Sequence, residues 1–130
     1  MKFIKTLYLV AGIYGLIVLP PMYFLEEKIG LDYPPPITHP EHFYGFIGVA
    51  IAWQIAFLIM ARDPARYRSI MIPSILEKVG YGIAVVTLFS QGRVSTTLLG
   101  SGIIDLVFAG LFLLAYFKTT SGQRPNPASR

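Results

Sequence analysis

The sequence predicts an all-α integral membrane protein, a four-helix bundle with both termini in the cytoplasm. Hydrophobic residues make up 54% of the 130 residues and charged residues only 14%, with a mean hydropathy of +0.58. Soluble domains average about 45–50% apolar and about 25% charged residues. The second observation is four continuous apolar stretches, each near the roughly 20 residues of helix that cross a hydrocarbon core. Membrane strands would instead show alternating segments of about ten residues.

The first apolar stretch, at about 3–25, follows the basic start "MKFIK" and begins with "FIKTLYLVAGIYGLIVL". A basic start is also typical of a signal peptide. The stretch is long, however, and it ends in "LPPMYF", which lacks the small-x-small pattern of a cleavage site. We therefore expect a retained membrane helix.

The other three helices are expected at about 43–61, 70–90 and 97–117. The second, "FYGFIGVAIAWQIAFLIMA", has no formal charge, the third contains "LEKVGYG", and the fourth carries one acid, Asp105. Residues 1–118 are thus predicted to form a single transmembrane domain. The polar tail "TTSGQRPNPASR", residues 119–130, is predicted to be disordered because it is rich in Pro and Ser.

The basic residues predict the orientation. Short loops on the cytoplasmic side of membrane proteins carry an excess of Lys and Arg. One side of the predicted bundle holds Lys2, Lys5, Arg62, Arg66, Arg68, Lys118, Arg124 and Arg130, and the other side holds Lys28 and Arg93. This pattern explains the net charge of +4 by topology, which argues against nucleic acid as a partner. The same residues are placed to touch anionic lipid headgroups.

Ionisable residues inside the apolar stretches are the candidate site. Such groups are costly in a membrane and usually face the bundle interior. Glu77 and Asp105 are therefore candidate catalytic or proton-binding carboxyls. Adjacent residues on a helix point about 100° apart, so Glu77 and Lys78 are not expected to pair simply. Two alternatives stay open for Lys78: pairing with Asp105, or extending to the lipid headgroups from a helix that starts near Pro73.

Three further residues complete the set of candidate ligand contacts. Gln54 and Glu77 lie at a similar depth, roughly 10 Å inside, and Tyr81 is one turn beyond Glu77. Gln54, Glu77 and Tyr81 are therefore expected to form one polar layer. Trp53, in the middle of the second helix, is open to core packing or a ligand contact. A satisfied structural network of these groups is the competing interpretation.

The long first loop contains the motif "HPEH". His39, Glu41 and His42 are of the types that ligate metals, but the spacing is no strong zinc signature and Pro40 is expected to disrupt i,i+3 geometry. They are therefore weak metal candidates. No cofactor is predicted from the residues. The chain has no Cys, which excludes disulfides and thiolate metal sites.

The segments "LEKVGYG" and "GIIDLVFAGLFLLAYFKT" resemble small bacterial four-helix inner-membrane proteins and, more loosely, the DoxX-like family. The resemblance covers most of the chain as architecture, although the first loop is longer than is usual for DoxX-like proteins. It implies location in the bacterial cytoplasmic membrane and a quinone-linked redox role, with a quinone or lipid-like ligand.

Three functional hypotheses follow. The first is a non-enzymatic membrane protein that acts as a scaffold, as an accessory subunit of a larger membrane complex or homo-oligomer, or as a binder of a lipophilic ligand. The second is an isomerase or quinone-linked redox enzyme that acts on a lipophilic substrate through Glu77 and Asp105. The third is a small proton-coupled transporter that uses Glu77.

Overall fold

The computed structural model describes residues 1–119, and every secondary-structure element in this range is helical. The α-helices are α1 (Lys2–Val18), α2 (Glu26–Asp32), α3 (Pro40–Arg62), α4 (Met71–Ser90) and α5 (Thr96–Thr119), and 3₁₀ helices cover Pro20–Phe24 and Arg68–Ile70. The predicted disordered tail lies outside the described residues except for Thr119, which is the last residue of α5.

Four of these helical segments are long and apolar enough to cross a membrane, as predicted by length and composition. Within residues 1–119 they are Lys2–Phe24, Pro40–Arg62, Arg68–Ser90 and Thr96–Thr119, with hydropathies of 1.8, 2.0, 1.4 and 2.2. Each has 23 or 24 residues, or about 35 Å of α-helix. Large apolar side chains remain exposed along all four, among them Ile17, Val49, Leu76 and Val107.

Two helical features were not predicted. The α-helical part of the first span ends at Val18 and continues as a 3₁₀ helix, because Pro20 and Pro21 lack the N–H that an α-helix requires. The long first loop contains α2. Glu26 and Glu27 occupy its first turn, where negative charge is favourable. Lys28 donates a 2.8 Å hydrogen bond to Asp32 one turn later, and this carboxylate raises the pKa of Lys28.

The chain forms two compact units, of which one is Lys5–Arg62. Within it, glycines on α1 allow close approach to α3. A Cβ added at Gly12 would lie 2.7 Å from a Leu58 methyl carbon and 2.9 Å from the Gln54 carbonyl oxygen. One turn away, the rings of Tyr8 and Phe57 are both fully buried, with centroids 5.9 Å apart.

The other unit comprises Met1–Ile4 and the chain from Asp63 onward, and its centre is the α4–α5 hairpin. The turn after α4 is a Schellman motif, since Gly92 has φ +69° and the Arg93 N–H donates to the Leu88 carbonyl at 2.9 Å. The Ser95 hydroxyl then caps α5 by accepting the Leu98 N–H at 3.3 Å. The hairpin packs through Gly82 and Gly102, whose added Cβ atoms would overlap Leu106 and Val85.

Candidate functional site

Three ionisable side chains meet between α4 and α5. Lys78 donates a hydrogen bond from Nζ to Oδ1 of Asp105 at 3.4 Å, and the same Nζ lies 3.6 Å from Oε2 of Glu77. The Lys78 side chain is only 6% exposed, Glu77 is 19% and Asp105 is 15%. We call Glu77, Lys78 and Asp105 the triad.

The triad decides between the two alternatives for Lys78. Its ammonium turns inward to Asp105 and does not extend to the end of the helix. The expectation that Glu77 and Lys78 do not pair is wrong, because the 100° between neighbours describes only where the side chains leave the helix. Long flexible stems can bring the charged ends together. The aromatic ring of Phe108 makes a cation–π contact with the same ammonium, with its centroid 5.7 Å from the Lys78 Nζ.

The charges in the triad do not balance when all three groups are ionised, since two carboxylates face one ammonium. Oε2 of Glu77 is also buried and has no hydrogen-bond partner within the described residues, because Lys78 Nζ is too far away to bond it. A buried polar atom without a partner is costly and calls for an explanation. The Glu77 carboxyl can therefore accept one further hydrogen bond.

The triad lies well inside both helices. Lys78 follows Met71 by seven residues, or about 10 Å of helix, and Asp105 follows Thr96 by nine residues, or about 14 Å. These distances place the charged groups within the two apolar spans and away from the helix ends. Charged groups at such positions in membrane proteins are rare and usually paired or functional.

One turn beyond the triad, a second polar contact joins the same two helices. The hydroxyl oxygens of Tyr81 and Ser101 are 2.9 Å apart. Ser101 donates its proton to the Leu98 carbonyl at 2.6 Å, so Tyr81 is the donor to Ser101. Together with the triad, this contact makes two successive polar levels along the α4–α5 pair.

Gln54 and Trp53 belong to the Lys5–Arg62 unit. Gln54 is 2% exposed and donates from Nε2 to the Ala50 carbonyl on its own helix at 2.9 Å, while its amide packs against Gly15. Trp53 is half-buried, with its ring 6.3 Å from that of Phe57. These contacts are those of core residues. The expected polar layer of Gln54, Glu77 and Tyr81 stays a prediction, since the contacts of Gln54 and of the triad lie in separate units.

The three weak metal candidates do come together. His39, Glu41 and His42 offer ligand atoms that lie within 4.8 Å of one another, and all three side chains are exposed. The Glu41 carboxylate is close to both imidazoles.

A cavity of ≈ 340 Å³ opens beside the first turns of α1 and the last turn of α3. Its lining combines two cations with apolar residues: Lys5, Thr6, Leu9, Leu58, Ala61 and Arg62. Neither Lys5 nor Arg62 forms an ion pair within residues 1–119. The cavity was not expected from the sequence, although both cations were expected on the same side of the membrane.

Sequence reasoning did not single out Phe108 or assign a partner to Arg68. Phe108 lies one turn after Asp105 on α5, which is the available signal for a contact with the same cation. Arg68 stacks 3.8 Å from the centroid of the Tyr116 ring and donates to the Tyr116 carbonyl at 3.2 Å. It therefore anchors the start of α4 to the end of α5.

Comparisons with protein families, curated proteins and solved structures found no match. The resemblance to DoxX-like proteins stays a prediction.

Proposed function

We propose that this protein crosses a bacterial cytoplasmic membrane four times as one helical bundle, with both termini in the cytoplasm. The support is the length and hydropathy of the four spans and the uneven distribution of Lys and Arg between the ends of those spans. The bacterial location rests on the resemblance alone.

Within this bundle, the protein binds a lipophilic ligand whose polar head hydrogen-bonds to the triad. The observation that carries this proposal is the buried Oε2 of Glu77, which lacks a hydrogen-bond partner among residues 1–119. A ligand hydroxyl would supply the missing donor. The ligand body would contact the apolar side chains around it, in the arrangement usual for small-molecule sites.

The chemistry of the triad suggests which ligands fit. Glu77 and Asp105 accept hydrogen bonds, and Lys78 donates them. A quinol presents hydroxyl donors, and the corresponding quinone presents carbonyl acceptors. A molecule of this class matches both kinds of group in the triad and is soluble in lipid.

Ligand binding can be separated from a purely structural role of the triad by thermal unfolding in detergent. Decylubiquinol should raise the unfolding temperature of the wild type in a concentration-dependent manner, since a ligand stabilises the state that binds it. Glu77→Gln keeps the size of the side chain but removes its charge. This variant should fold and lose most of the ligand-dependent shift.

The matched control is Glu27→Gln, which changes an exposed acid outside the spans. It should keep the full shift. If the wild type shows no shift, or if Glu77→Gln keeps it, the ligand proposal is wrong. Lower stability of Glu77→Gln combined with an unshifted wild type would identify the triad as a structural element that holds α4 against α5.

A second candidate, proton-coupled transport, is favoured by the excess of one carboxylate in the triad. One proton would neutralise that excess, which makes the triad a suitable proton-binding group. In liposomes containing a pH-sensitive dye, the wild type should move protons and Glu77→Gln should not. Equal signals from wild type and empty liposomes would contradict this candidate without affecting the ligand proposal.

A further inference from the structure

The strongest independent feature is the cluster of His39, Glu41 and His42 at the start of α3. We propose that these three side chains bind a divalent transition-metal ion with the preferences of Zn²⁺. The cluster lies at the very start of the span Pro40–Arg62 and shares no residue with the triad, so this proposal does not depend on the proposed ligand site.

The ligand atoms are already near the required spacing. Nδ1 of His39 lies 3.3 Å from Oε1 of Glu41, and Nε2 of His42 lies 3.8 Å from the same oxygen. Zn²⁺ binds His nitrogen and carboxylate oxygen at about 2.0–2.2 Å in a tetrahedral arrangement, so neighbouring ligand atoms are then about 3.3–3.5 Å apart. The widest separation, within 4.8 Å, would close by small rotations of exposed side chains.

The backbone explains why the cluster forms in spite of Pro40. The helix α3 begins at Pro40, a position that suits proline because the first helical residue needs no N–H partner. The His39 carbonyl accepts the N–H of His42 at 3.0 Å and that of Phe43 at 3.2 Å. The expectation that Pro40 disrupts i,i+3 geometry is therefore wrong, since His39 and His42 are held on one side of the first turn.

The chemistry of the three ligands suits a borderline-soft divalent ion. Two neutral imidazoles and one carboxylate are the donor set of many catalytic and exchangeable zinc sites, which leave a fourth position for water. Exposure of all three side chains leaves space for that water. The loop also supplies a favourable field, since residues 26–42 hold four acids and one Lys.

Ion pairing without a metal is the competing explanation for the cluster. The Glu41 carboxylate lies within ion-pair distance of both imidazoles and would attract them if they were protonated. A metal titration separates the two explanations, because an ion pair alone gives no saturable binding of Zn²⁺.

The experiment is direct because the chain has only two His and no Cys. The full chain is purified in detergent with an affinity tag that contains no histidine. ZnCl₂ is titrated by calorimetry at pH 7.5, and CoCl₂ is titrated in parallel by visible absorption. Spectra of ¹⁵N-histidine-labelled protein report on both imidazoles, with no signal from any other side chain.

The wild type should bind one Zn²⁺ saturably, and both labelled imidazoles should shift together. His39→Gln, His42→Gln and Glu41→Gln should each weaken Zn²⁺ binding by at least about ten-fold. In known metal sites, loss of a residue that only hydrogen-bonds to a ligand already weakens binding by this factor. Glu27→Gln, an exposed acid in α2, is the matched control and should bind like the wild type.

All three substitutions change exposed residues, so circular dichroism should show unchanged helicity and exclude misfolding as the cause. Two results would overturn the proposal. One is the absence of saturable Zn²⁺ binding by the wild type. The other is binding that survives the double change His39→Gln and His42→Gln, which would place the ion on carboxylates alone.

Discussion

Lys78 reaches across from α4 to α5, where its Nζ lies 3.4 Å from Oδ1 of Asp105. This contact joins two helices through largely buried side chains, and the same ammonium also faces Glu77 at 3.6 Å. Removal of the cation therefore affects both carboxyls at once.

We predict that Lys78→Met strongly destabilises the protein, although the substitution keeps the length of the side chain. It leaves two carboxylates close together without a counter-charge, and breaking a buried pair costs about 3–5 kcal/mol. The free energy of unfolding, measured by denaturant titration in detergent, checks this. Lys28→Met is the control, because Lys28 pairs with Asp32 in an exposed position, and it should change the stability little.

The same prediction has an internal check. The triple change Glu77→Leu, Lys78→Met and Asp105→Leu should restore much of the stability, because apolar groups of similar volume can substitute for buried ions. A triple variant no more stable than Lys78→Met would show that the loss comes from packing and not from the uncompensated carboxylates.

Glycines at matched positions on α4 give a second prediction. Gly82→Ala should destabilise the protein by about 1–3 kcal/mol, the usual cost of overpacking, because the added methyl group would overlap Leu106 and lie 3.0 Å from the Gly102 carbonyl oxygen. Gly80→Ala meets nothing within 4 Å, so it should be neutral or stabilising by up to about 1 kcal/mol through helix propensity. Thermal unfolding of the two variants side by side tests whether α4 packs on α5 through Gly82. Similar effects from both would contradict that packing.

The hydrogen bond between Tyr81 and Ser101 is the subject of a third prediction. Tyr81→Phe removes the donor and should cost about 0.6–1 kcal/mol, the range for such bonds between membrane helices. Ser101→Ala should cost a similar amount, and the double variant should cost little more than either one. A double-mutant cycle on the free energy of unfolding measures the coupling. Simple additivity would mean that the 2.9 Å contact contributes nothing.

The cavity between Lys5 and Arg62 gives a fourth prediction. Its two cations, which form no ion pair within residues 1–119, and its apolar wall match the phosphate and acyl chain of an anionic phospholipid. Basic pockets between membrane helices bind such headgroups. Phosphatidylglycerol should therefore raise the unfolding temperature more than phosphatidylcholine does. The double change Lys5→Gln and Arg62→Gln should remove most of this difference.

Arg93→Gln is the matched control for the lipid experiment, since Arg93 lies in the α4–α5 turn and donates to Gln91. It should leave the preference for phosphatidylglycerol unchanged. An equal loss with Arg93→Gln would indicate a general effect of net charge and would rule out a specific cavity.

The four spans were predictable because they depend on the length and apolar composition of each stretch, and both can be read directly from the sequence. Even α2 had a signal, in the acidic pair Glu26–Glu27 followed by Lys28 and Asp32 at i,i+4 spacing, but seven residues are too few to stand out from a loop. Gly92 occupies a turn position with positive φ, a conformation that glycine adopts without steric cost.

The partners of the buried groups were harder to predict. From the sequence, Lys78 could either pair with Asp105 or extend to the lipid headgroups, because its long side chain can do both. Only the register of α4 against α5 decides between these alternatives. The bond from Tyr81 to Ser101 depends on the same register. The His39 cluster depends on a single turn whose geometry Pro40 supports, where the sequence pattern had suggested the opposite.

The Lys78–Asp105 contact also bears on how the chain enters the membrane during synthesis. The span from Arg68 to Ser90 has the lowest hydropathy of the four, 1.4, and it carries both Glu77 and Lys78. On its own it faces an insertion penalty of about 2.5–3.5 kcal/mol for each central charge, whereas α5 brings the acid that neutralises Lys78. We therefore expect α4 to insert stably only after α5 has been synthesised. Chains truncated before residue 96 should fail to insert α4, and the modification of a glycosylation site placed after α4 would report this failure.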